Sequence, residues 1–68
     1  MTPERFDQIQ WFSGMTAQYL GTRWDVLDVD FSDRTVGLVP PEDQSRLPFR
    51  IDCEEIEILY DHKGMQVA

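Results

Sequence analysis

The chain is short of cysteine, of cations and of long apolar runs, and each shortage narrows what it can be. One cysteine, Cys53, allows no internal disulfide. Small secreted domains usually carry several, so a reducing, cytoplasmic setting is the expectation. No apolar run nears the roughly 20 residues that a membrane helix needs. The opening MTPERFDQIQ has neither a basic start nor an apolar stretch, so it does not read as a secretory signal. No membrane partner is expected. Histidine occurs once, at His62, nine residues from Cys53, and two unaccompanied ligands do not make a zinc site. The glycines at 14, 21, 37 and 64 are scattered and form no phosphate-binding loop. Six lysines and arginines stand against thirteen acidic residues, a net charge of -7. Such a chain repels phosphate backbones, so direct nucleic-acid binding is disfavoured and a basic protein surface is the natural counterpart.

What is present points to a small folded domain. The 68 residues are 41% hydrophobic and 12% aromatic, too apolar for a disordered acidic tail. Residues 1–68 therefore read as one domain. Thr2-Pro3-Glu4 is a helix start, with a capping hydroxyl, a proline at the first helical position and an acid to complement the dipole. Phe6, Ile9, Phe12, Met15 and Tyr19 follow at spacings of three and four, which predicts a helix over about 3–20. Gly21 is a plausible stop.

Beyond Gly21 the period drops to two. Strands are predicted over about 24–31, 35–39, 47–51, 55–60 and 65–67. Trp24 and Val26 fall on the opposite parity to Leu27, Val29 and Phe31, so a bulge is expected at Val26-Leu27. Ser32-Asp33-Arg34 is turn chemistry, which makes 24–39 a hairpin, and Asp52-Cys53-Glu54 reads as a single turn between two strands. The fold class is α+β, an N-terminal helix packed on a small twisted antiparallel sheet of four to five strands.

The 24–39 hairpin and the segment FRIDCEEIEIL, where strand, one-turn break and strand run together, resemble SH3-like and Sm-like barrels. That resemblance implies a sheet that curls toward closure. In size, acidity and helix-then-barrel order the chain is also similar to the small antiterminators that bind the Rho factor, a likeness of type that carries no residues across.

The charge is blocky. Residues 25–33 carry Asp25, Asp28, Asp30 and Asp33, a charge of -4, and residues 51–68 sum to another -4. If the two strand regions lie side by side, Asp28 and Asp30 meet Glu55 and Glu57 on one outer face. Like charges opposed across a sheet are mildly unfavourable, so such crowding suggests a partner of opposite sign; solubility alone is the plainer explanation. Trp11 is off the helical stripe, as a hot-spot anchor would be, or as a residue gripped in the core would be.

Other chemistry is thin. Asp28, Asp30 and Asp33 are spaced DxDxxD, yet no glycine follows and Val39 stands where a calcium loop needs glutamate, so no metal is expected. Cys53 lies between Asp52 and Glu54, which opposes a thiolate nucleophile. No apolar cleft is evident to tune a carboxylate for acid–base work. Neither catalysis nor a cofactor is expected. The functional expectation is a non-catalytic acidic interaction module, an inhibitor or modulator that docks on a basic surface of a nucleic-acid-handling protein. Asp25, Asp28, Asp30, Asp33, Glu55, Glu57 and Trp11 are its candidate binding residues. The alternatives are a structural subunit or adaptor of a homo-oligomeric or larger assembly, and a small-barrel nucleic-acid-binding protein.

Overall fold

A computed structural model describes residues 1–68. The first helix, α1, spans Pro3–Gln8. Thr2 caps it, its Oγ1 accepting from the Arg5 N–H at 3.1 Å, and Pro3 sits where no donor is needed. The helix stops there instead of at residue 20. Ile9 turns to extended backbone, Gly14 takes φ +87°, and Thr16–Tyr19 form a strand, β1. The reason lies in an ambiguity of spacing. Met15 and Tyr19 are four apart, which suits one helical face, but Met15, Ala17 and Tyr19 also alternate, which suits one strand face. As a strand this segment joins two hydrogen-bonded ladders at once, one with β2 (Thr22–Asp30) and one with β5 (Ile58–Tyr60). Tertiary pairing outweighs the modest preference of a short amphipathic run for helix.

The remaining elements are β3 (Thr35–Val39), β4 (Phe49–Asp52) and η1, a single 3₁₀ turn over Cys53–Glu55. All five strands form one antiparallel sheet in the order β4-β3-β2-β1-β5. The expected bulge is present, since the β2–β3 register slips between Val26 and Asp28. Asp52 caps η1, its Oδ1 accepting from the Glu54 N–H at 3.0 Å. That turn and Ile56-Glu57 take up the first half of the strand expected over 55–60. Residues 65–67 make one bridge, Gln66 to Tyr60, in place of a strand. They still cover the outer edge of β5, where the Leu59 N–H donates to Ala68 O at 3.0 Å and the Val67 N–H to Leu59 O at 2.8 Å.

The core lies on one face of the sheet, where Ala17, Val36, Leu38, Ile51 and Leu59 are joined by Phe6 from α1 and by Cys53 and Ile56 around η1. Phe6 is fully buried, which contributes on the order of 1.5–3 kcal/mol. The sheet is strongly curled and is not closed into a barrel by hydrogen bonds. Tyr19 on β1 and Phe49 on β4 are three strands apart, about 14 Å in a flat sheet, yet their rings lie 6.0 Å from centre to centre. No helix is long and apolar enough to cross a membrane.

The β1–β2 turn is Leu20-Gly21. Both residues have positive φ, 53° and 73°, as a two-residue type I′ hairpin demands. Glycine meets that demand freely and leucine does not.

Candidate functional site

The bulge in β2 sets up the main surface feature. It ends the β1–β2 pairing early. Thr16 faces Asp25, one more bond runs from the Val26 N–H to Met15 O at 3.0 Å, and there the contact stops. Asp28–Asp30 pair with β3 on one side, Leu27 is the extra residue of the bulge, and no backbone pairs with Leu27–Asp30 on the other side. The α1–β1 connection, residues 9–15, diverges from this free edge and leaves a groove of about 660 Å³. Its apolar lining includes Trp11, Phe12, Leu27 and Phe31, and Asp25 and Asp28 also line it. Phe12 is 53% exposed, Leu27 49% and Phe31 64%, so apolar surface is open to solvent here.

Trp11 is half-buried against the core, its ring 5.3 Å from that of Phe6. It is therefore neither a free anchor nor a fully buried residue. Its indole N–H is hidden from solvent and has no acceptor. Phe31 meets Phe6 edge-on at 5.9 Å, so the groove wall is braced directly by the core.

The acidic residues separate. Asp25 accepts from the Gln44 amide, a neutral donor, and has no cation partner. Asp28 is paired with Arg50 on β4. This pair spans β3 because Asp28, Gly37 and Arg50 are in register across three strands, and Gly37 presents no side chain between them. A Cβ at Gly37 would lie 2.7 Å from Asp28 Oδ1 and 3.0 Å from Pro48 Cβ. Arg50 also donates to Thr35 Oγ1 at 2.9 Å. Asp30 builds its own turn, accepting from the Ser32 and Asp33 N–H groups at 2.9 and 3.1 Å. Asp33 is exposed on that turn.

Glu55 and Glu57 do not join them. The expected shared face fails because β1 lies between β2 and β5. Glu55 is on η1, and Glu57 accepts from the Gly21 N–H at 2.9 Å, at the far end of β2. Seven residues of strand, roughly 23 Å, separate Gly21 from Asp28. The arginines neutralise part of the acidity: Arg34 pairs with Asp7 at 2.8 Å and Arg46 with Asp43 at 3.2 Å. Ten of the thirteen side-chain carboxylates still lack a cation partner, Asp25, Asp30 and Asp33 among them. The negative field around the groove thus survives on one strand and its turn instead of on two.

Two carboxyls are held below the usual carboxylate range. The Arg34 guanidinium, by hydrogen bond and charge, does this for Asp7, and the Met65 and Lys63 N–H groups do it for Asp61. Burial and the neighbouring Asp52 charge push the Cys53 thiol up, which keeps it protonated and unreactive. Phe12, Leu27, Phe31, Gly37 and Gln44 are missed by sequence reasoning. The bulge carried the signal for Leu27, since an extra residue in one strand must leave the sheet's alternation. Comparison with protein-family models, curated proteins and solved structures finds no match.

Proposed function

We propose that the chain is a non-catalytic acidic interaction module that docks on a basic surface of a protein partner, one whose own surface handles nucleic acid and is thereby blocked or modulated. The observation that carries this reading is the groove beside β2, an open apolar floor with unneutralised carboxylates at its rim and on the adjoining turn. Aromatic and aliphatic surface supplies affinity at such a site, and the surrounding charge steers encounter and selects the partner's sign. Asp25, Asp30 and Asp33 supply the charge, with Trp11, Phe12, Leu27 and Phe31 as the apolar contact. Asp28, Glu55 and Glu57 are secondary, for Asp28 has Arg50 and the two glutamates stand elsewhere.

The finer fold reading belongs with this proposal. A four-strand meander, a 3₁₀ turn and a fifth strand that returns to β1 is connectivity of the SH3-like kind, and the ring contact between β1 and β4 supports a small barrel with an open seam. A reducing, cytoplasmic setting suits the buried, unpaired Cys53. The second reading, a subunit or adaptor of a homo-oligomeric or larger assembly, draws on Leu47, 92% exposed and two residues ahead of the edge strand β4.

The test is a captured partner whose purified affinity is followed against salt. A steep fall between low and about 0.5 M salt, and loss of binding in Asp25→Lys/Asp30→Lys, are expected. Affinity that ignores both changes refutes charge-led docking. A stable oligomer of salt-insensitive mass in light scattering supports the second reading instead.

A further inference from the structure

We infer that the groove takes an extended segment of the partner as an added β-strand against Leu27–Asp30, with lysine or arginine on alternate residues and apolar side chains between them. This rests on the docking reading above and names the chemistry of what docks.

Three observations converge. First, the edge is unpaired. β1 stops at the bulge, so the side of Leu27–Asp30 away from β3 presents backbone donors and acceptors that no part of the chain meets. Extended peptides add to such edges through main-chain hydrogen bonds. Second, there is room, because a 660 Å³ groove lies along this stretch, within the size range of ligand clefts. Third, the two faces of β2 differ. Asp28 and Asp30 point to the outer face, whereas Val29 and Phe31 turn toward Phe6 and Trp11. A neighbouring strand shares these faces residue by residue, so it meets the free Asp30 carboxylate, with Asp28 beside its Arg50 partner, on one side and rings on the other.

The same pattern selects against a second copy of this chain. Pairing β2 with another β2 would bring the unneutralised Asp30 of each copy onto one shared face, a charge of the kind by which sheet edges avoid self-association. A basic strand reverses the sign of that interaction. The β4 edge is also free, but the groove does not run along it.

The test uses the full chain and a labelled hexapeptide of alternating lysine and valine, read by fluorescence anisotropy. A control of the same composition has its lysines grouped. Two further peptides are N-methylated, one at every lysine and one at every valine. In a strand, alternate residues direct their N–H groups to opposite edges, so one methylated peptide should bind like the parent. The other should lose about fivefold per methyl group. The grouped peptide should bind about tenfold more weakly, having both kinds of side chain on each face. Backbone amide shifts in the chain should concentrate at 27–30. Equal binding of grouped and alternating peptides, equal tolerance of both methylation patterns, or shifts confined to 49–52 each overturn strand addition. If those peptides nevertheless bind in a salt-sensitive way at the groove, charge-led docking stands without it. If no peptide binds at low salt, strand addition is overturned, and docking itself is decided by the captured partner.

Discussion

Replacing Gly37 with alanine tests whether the missing side chain is what lets β2 and β4 reach each other over β3. The backbone at Gly37 is not left-handed, so alanine fits its conformation and stiffens the unfolded chain, a gain of about 0.4–1 kcal/mol. Two costs oppose it. The new methyl would stand 2.7 Å from Asp28 Oδ1 and would have to drive that carboxylate off Arg50. The Asp28 and Arg50 side chains are 46% and 41% exposed, so losing the pair costs at most about 1 kcal/mol. Pro48 Cβ, 3.0 Å away on a rigid ring, cannot swing aside, and overpacking of this kind costs roughly 1–3 kcal/mol. The balance is a loss of about 1.5 kcal/mol, or a Tm lower by roughly 6–12 °C for a domain of this size. Urea unfolding followed by tryptophan fluorescence measures it. In an Asp28→Ala background the nearer wall is gone, and the cost of Gly37→Ala should drop by up to about 1 kcal/mol, leaving the part that Pro48 imposes. A Gly37→Ala protein as stable as its parent, or one that loses the same amount in both backgrounds, refutes the reasoning.

Other expectations follow from single features. Leu20→Asn relieves a leucine held at φ 53° in the type I′ turn and should raise stability by about 1 kcal/mol, seen as a higher urea midpoint. Asp7 and Asp61 have folded-state values depressed below 3.8, so the unfolded chain takes up protons first as pH falls. Their contribution is fully present above about 3.8 and is lost as pH drops through the lower folded values. Asp61→Asn should therefore lower stability modestly near neutrality and flatten the acid limb of a stability-versus-pH curve, the two proteins converging as pH falls below about 4. Cys53 should react with a thiol reagent far more slowly in the native chain than in urea, since burial both hides it and raises its pKa. Equal rates in the two states contradict its placement.

The hairpin of β2 and β3 was legible because its signals are local. Alternation, a parity break at Val26-Leu27 and a polar turn at 32–34 lie within eighteen residues, and the structure has all three. The η1 turn was legible for the same reason, as Asp52 caps it from the neighbouring position. The helical period overshoots the helix because Phe6, Ile9, Phe12, Met15 and Tyr19 satisfy it, while what decides Thr16–Tyr19 is pairing with β5, some forty residues on. The acidic face failed on the same grounds. Composition reveals two blocks of carboxylates, but only strand order shows that β1 separates them. The groove was invisible in sequence, since its floor joins residues 11–12 to residues 27–31 through a strand that ends early.

The meeting of Tyr19 and Phe49 has a mechanical meaning. Peptide bonds that pair across a gap lock two walls at one offset, whereas two rings tilted against each other hold them near without choosing a step. The width of the mouth between β1 and β4 is thus governed by the bulk of two side chains. Exchange of either ring for a smaller one would slacken that opening while every ladder beside it kept its alignment.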